Sequence, residues 1–187
     1  MIKNILWSGI EYNSLENCVL TISDKGSDIK STIIGMYNNI IYKIDYLIKT
    51  NEHWETISFY INAQLNNKTQ VISYQNDGRG NWVTDGGQIA EEFSGCFDVD
   101  ISLTPFTNTL PINRLRLPEK KEKIIKVFYV DILGQEIKAV HQKYTRLSKT
   151  DYKYENIPND FEATISVDEA GLVIKYPQLF KREFVIG

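Results

Sequence analysis

The chain has 187 residues, 21 of them basic and 24 acidic, for a formal net charge of −3. At this length one domain spanning 1–187 is the expectation, with a core large enough to need no disulfide staples. The absence of a basic excess argues against nucleic acid as a partner, and no run approaches the roughly 18 apolar residues of a membrane helix.

The N-terminal stretch MIKNILWSGIEYNSLEN has no small-residue cleavage site and does not read as a signal peptide, so a cytoplasmic setting is expected. Its first strands are placed at Ile5 to Ile10 and Cys18 to Asp24, with a turn at Lys25-Gly26-Ser27-Asp28. From Ile40 to Lys49, Tyr42, Ile44, Tyr46 and Ile48 share one face and Lys43, Asp45 and Lys49 the other, the alternation of a half-buried strand. Ile57, Phe59 and Ile61 repeat that pattern in Glu55 to Asn62. Asn66-Asn67-Lys68 reads as a hairpin loop into TQVISYQN, and Asp77-Gly78-Arg79-Gly80 as a further turn before a strand carrying Trp82, whose ring is expected in the core. Later strands are expected at Lys123 to Ile132, Phe161 to Val167 and, after the turn Asp168 to Gly171, in LVIKYP. Gln135 to Ser148 fits either a helical stripe or a strand; its neighbours favour a strand. Closely spaced strands with turn signals predict a mainly antiparallel β fold.

Few residues offer catalytic chemistry. His53 and His141 lack companions at metal-ligand spacing, and no cofactor loop is evident. Ser94-Gly95-Cys96 has no strand-to-helix elbow, so Cys96 reads as a small buried hydrophobe. Cys18 and Cys96 form no CxxC and are read as reduced thiols. Arg114 to Lys126, the densest basic stretch, is taken as a solvated loop after Pro118, with weak contact to an anionic membrane surface as the other reading.

The informative segment is GCFDVDISLTPFTNTLPINRLRL, Gly95 to Leu117. Asp98 and Asp100 stand two apart, on one face of any strand, and Thr104, Thr107, Asn108 and Thr109 surround Pro105 and Phe106. Thr109 is placed as the cap of a short helical turn over Leu110 to Leu115. Two carboxylates so close call for partners, and Arg114, the hydroxyls of Thr104 and Thr107 and nearby backbone N–H groups are the candidates. Three roles stay open for the pair: organising an irregular crossing, binding a ligand, or acting as a catalytic acid and base.

GCFDVDISLTPFTNTLPINRL at Gly95 to Leu115 resembles the signature of the family named "putative glycolipid-binding proteins". Gln142-Lys143-Tyr144-Thr145, Tyr152-Lys153-Tyr154 and VDEAGLVIKYPQLFKR at Val167 to Arg182 extend the resemblance, with echoes in Tyr42, Asp45 and Gly80-Asn81-Trp82. It implies a single-domain antiparallel spiral β-roll with one or two short helical turns, a curved half-barrel similar in shape to bacterial carriers that clasp lipid. It brings no agreed catalytic residues. The function expected from these readings together is binding of an amphipathic ligand, a glycolipid or other lipid, with Asp98, Asp100, Thr104, Asn108, Arg114, Gln142 and Tyr144 as candidate contacts. An enzyme using Asp98 and Asp100, or a structural module that pairs through a sheet edge, is the alternative. Neither a cofactor nor a metal is expected, and the assembly state is left open.

Overall fold

The computed structural model describes residues 1–187. Fourteen strands form one sheet: β1 (Ile2–Gly9), β2 (Ser14–Ser23), β3 (Gly26–Tyr37), β4 (Ile40–Thr50), β5 (Thr56–Leu65), β6 (Lys68–Asn76), β7 (Trp82–Thr84), β8 (Asp98–Ile101), β9 (Glu122–Asp131), β10 (Glu136–Arg146), β11 (Asp151–Ile157), β12 (Glu162–Val167), β13 (Val173–Tyr176) and β14 (Phe180–Ile186). One short helix, α1 (Thr109–Leu115), lies between β8 and β9.

The sheet is two meanders joined back to front. Its order runs from β7 down to β1, then from β14 down to β8, so the first and last strands pair at the centre. Every neighbouring pair is antiparallel except β8 and β9. The sheet is curved and not closed, as a spiral roll requires; β7 and β8 form its two edges.

Hairpin turns explain much of the first meander. Asn13, Asn38, Asn39 and Asn66 all have positive φ at the β1–β2, β3–β4 and β5–β6 connections. Asparagine tolerates that left-handed backbone at low cost, and the resulting turns match the twist of the strands they join. Between the turns, period two decides what is buried. In β4, Tyr42, Ile44, Tyr46 and Ile48 are buried while Ile41, Lys43, Leu47 and Lys49 face out. The ambiguous segment is a strand: β10 buries Gln142 and Tyr144 and pairs with β9 and β11 along its length.

β9 closes the architecture because it is covered on both faces. Phe128, Val130 and the following Ile132 belong to a core cluster of 27 residues shared with β1–β6, whereas Ile125 and Val127 join a cluster of 12 built from β10–β14. The far edge of the sheet therefore curls back into the concave face of the first meander. Phe128 stacks on Phe93 at 3.6 Å and meets Phe59, Tyr74 and Trp82 at 4.9–5.2 Å between ring centroids. The Thr56 N–H donates to the Phe97 carbonyl at 2.9 Å, tying the β8 edge to β5. Trp7 Nε1 donates to the Val173 carbonyl at 2.8 Å, a second staple between the halves.

Two expectations are corrected. Thr109 does not cap α1. A 3-10 turn at Phe106–Asn108 runs into the helix, and Asn108 already has helical dihedrals, so no free helix start exists there; Thr109 Oγ1 is buried without a partner. Nor is Arg114 to Lys126 a single solvated loop. Arg114 lies in α1 in a buried ion pair, Leu117 is buried, and β9 starts at Glu122. Cys18 and Cys96 are both buried and free.

Trp82 is fully buried, and its Nε1 donates to the Cys96 carbonyl at 2.9 Å. Trp82→Ala removes the ring and the shorter of that carbonyl's two hydrogen bonds, leaving only Asn76 Nδ2 at 3.3 Å. Denaturant unfolding should register a loss of about 3–5 kcal/mol; an unchanged midpoint would refute this account of how the curl is held.

Candidate functional site

Strand β8 places the central motif between the two halves. Val99 and Ile101 enter the larger core, so Asp98 and Asp100 project together from the opposite face. Their surroundings then differ. Asp98 is 1% exposed and accepts from Arg114 Nε at 3.0 Å and Nη2 at 2.5 Å. The guanidinium also lies over the Phe97 ring at 5.7 Å. Burial pushes the Asp98 carboxyl up from the ordinary carboxylate value, and the Arg114 bonds and charge oppose that. With two-pronged geometry on a guanidinium that does not deprotonate, the pair is ionic.

Asp100 meets no cation. Thr107 Oγ1 donates to its Oδ1 at 2.9 Å, and Gln142 Nε2 to its Oδ2 at 2.6 Å. Burial raises this carboxyl, these two bonds lower it, and the Asp98 charge raises it again. Beside it, the Tyr144 hydroxyl donates to Asn108 Oδ1 at 2.9 Å, fixing the amide, whose Nδ2 reaches the Pro105 carbonyl at 3.3 Å.

A cleft of about 620 Å³ opens over this cluster. Asp100, Thr104, Asn108 and Gln142 form its polar floor, while Asp98, Arg114 and Tyr144 stand behind the wall and hold the floor in place. The side walls are aromatic: Tyr12 from the β1–β2 turn, Tyr129 of β9, Tyr154 of β11, Phe161, Tyr176 of β13 and Phe180 of β14. The sequence reading did not assemble this wall. Each ring lies in a different element, and only Tyr154, Tyr176 and Phe180 fall inside the segments that carry the family resemblance. The one available signal was the excess of tyrosine, 11 in the chain. The chain has no group of three or more His, Cys, Asp or Glu side chains placed to hold a metal ion.

A second buried carboxyl was also missed. Glu16 of β2 is 3% exposed, at a position where strand alternation calls for an apolar residue. Ser31, Tyr46 and Thr104 hydroxyls converge on its Oε1 at 2.7, 2.6 and 2.9 Å, and Oε2 has no partner. Burial pushes this carboxyl up to about 7, although the three hydroxyls oppose it. Thr104 therefore belongs both to the cleft floor and to this core network.

Mainly antiparallel strands curled into an unclosed roll around a half-open cleft define a single-sheet β-roll protein. The chain belongs to the family described as "Putative glycolipid-binding", matched over residues 4–182. It is similar to the crystal structure of a DUF1089 family protein from Pseudomonas aeruginosa, with a TM-score of 0.79 and 32% identity over 89% of this chain and 91% of that one. None of the curated proteins matches it.

Two outcomes are expected of the buried carboxyls. Asp98→Asn strands the Arg114 charge behind the wall and should destabilise the fold by about 3 kcal/mol in denaturant melts; wild-type stability would show that the pair contributes little. For Glu16, the folded form holds its proton more tightly than the unfolded chain. Its penalty is absent below the ordinary glutamate value of 4.5, grows as pH rises, and is complete above about 7. That displacement corresponds to about 3 kcal/mol at most. Glu16→Gln should therefore melt higher than wild type at pH 8 and equally at pH 4. A constant difference across that range would contradict the assignment.

Proposed function

We propose that the cleft binds an amphipathic ligand, a glycolipid or other lipid, with its polar head on Asp100, Asn108 and Gln142 and its apolar part along the tyrosine and phenylalanine wall. The observation that carries this reading is the convergence of four polar floor residues at the base of a 620 Å³ aromatic-lined cleft. Binding clefts set placed polar groups among apolar side chains to fix a ligand's orientation, and half of the residues lining this cleft are hydrophobic. Each floor group is held by a neighbour, so its direction is set before a ligand arrives: Gln142 by Asp100, Asn108 by Tyr144, Thr104 by the Phe106 N–H at 3.0 Å. The family's description supports a lipid-type ligand. No helix is long and apolar enough to cross a membrane, and the two free buried thiols favour a cytoplasmic setting for this binding protein.

Native mass spectrometry of gently purified protein should find a co-purifying lipid, or affinity within a panel of lipids and glycolipids. Val140→Trp, which places an indole in the cleft, should abolish that binding while the fold persists. Asp100→Asn should weaken it about tenfold with little change in melting temperature. A protein that carries no lipid and takes none from the panel would sink the reading.

A further inference from the structure

The two neighbouring carboxylates of β8 receive opposite electrostatic treatment. Asp98, behind the wall, is answered by Arg114. Asp100, on the cleft floor, is held only by the neutral donors Thr107 and Gln142. Glu11 and Asp160 also line the cleft, and neither they nor Asp100 forms an ion pair. The one Lys or Arg on the lining, Lys138, is paired with Glu136 at 2.7 Å, and its ammonium lies 5.9 Å from the Tyr129 ring centroid at one side of the wall, not against Asp100. A carboxylate drawn out of water gains most from a partner of opposite charge, and here the protein leaves that partner out.

The rings add to the same field. Tyr12 and Phe180 lie 5.9 Å apart, Phe180 and Tyr176 6.2 Å, Tyr176 and Tyr154 6.1 Å, and Tyr176 and Phe161 6.2 Å, so the wall is one continuous aromatic arc. The phenols of Tyr12, Tyr129, Tyr154 and Tyr176 are each pushed up first by burial, with neighbouring phenols and carboxylates, Asp100 included, adding to it. Ring faces carry negative charge density and attract a cation within about 6 Å. A ring arc over an unanswered carboxylate favours a positive group, disfavours a phosphate or sulfate, and leaves a neutral sugar with hydrogen bonds alone.

We infer that the polar end of the cleft takes a positively charged head, an alkylammonium or quaternary ammonium, so that the ligand is a cationic amphiphile. This rests on the amphipathic reading above and narrows it to one headgroup chemistry. Asp100 is the counter-ion and the aromatic arc is the cage.

Three amphiphiles of equal chain length test it: decyltrimethylammonium, decyl maltoside and decyl sulfate, titrated calorimetrically below their critical micelle concentrations. The ammonium should bind about tenfold or more tighter than the maltoside, and the sulfate weakest of the three. Asp100→Asn should pull the ammonium-to-maltoside ratio toward one. Tyr12→Leu should lower that ratio and Tyr12→Phe should keep it, because the phenyl face and not the hydroxyl holds the cation. If the maltoside or the sulfate binds as tightly as the ammonium, or if Asp100→Asn leaves the ratio unchanged, the headgroup assignment is overturned while the amphipathic reading stands. If none of the three binds, both fall together.

Discussion

Everything in this molecule depends on β9 being buried twice. A strand near the margin of a one-layer sheet normally buries one face and leaves the other to water. Here Phe128 and Val130 face one core while Ile125 and Val127 face another. Both demands are met only if the sheet rolls until its far margin lies against its own beginning. The rolling hides β8 as well, tied through the Thr56 N–H to the Phe97 carbonyl. The remaining edge, β7, is three residues long, too short to template pairing with another chain. The cleft follows from the same geometry. Where β8 and β9 separate from the β13–β14 turn and the β1–β2 turn, the roll is filled by ring faces but not closed.

How much of this could be read in advance depended on the range of the interaction. Alternation in β4, β5 and β10 involves neighbours two residues apart, and the burial pattern of those strands is the one their sequence announces. The ladder from β1 to β14 joins residues more than a hundred positions apart, and the ring contacts that bury Phe128 of β9 reach back to Phe93, Trp82, Tyr74 and Phe59; no local pattern encodes either. Thr109 shows the opposite failure. A threonine before an apolar run is a sound cap signal in isolation, but the preceding 3-10 turn removes the helix start that a cap would serve. Glu16 was illegible because its position is legal only in the presence of three hydroxyls from β3, β4 and the loop after β8. At the site, the polar floor was visible as one contiguous motif. The aromatic wall was not, since it is collected from Tyr12 near the N-terminus and from five separate places in the last third of the chain.

The ion pair and the floor are parts of one design. Asp98 and Arg114 join β8 to α1 behind the cleft, and the Tyr144–Asn108 bond joins β10 to the start of the same helix. The segment from Asp98 to Arg114 is therefore anchored at both ends and in its middle. That is why Asp100 can remain without a counter-ion of its own: its position is imposed by the strand and by the bonds from Thr107 and Gln142, not by a charge partner. Residues behind the wall supply rigidity and those on it supply chemistry, and strand alternation at Asp98 and Asp100 sets both on one face.

Thr104 shows how the larger core and the cleft can share an atom without sharing a response. Its hydroxyl gives its hydrogen toward Glu16 Oε1 and receives the Phe106 N–H, while Tyr46 supplies the shortest bond to the same carboxyl oxygen. All three hydroxyls converge on Oε1, so a proton taken up by Glu16 belongs on the unpartnered Oε2. Oε1 remains an acceptor in either state. Titration of Glu16 therefore alters the free energy of the core without requiring Thr104 to turn, and the floor of the cleft keeps its shape across neutral pH.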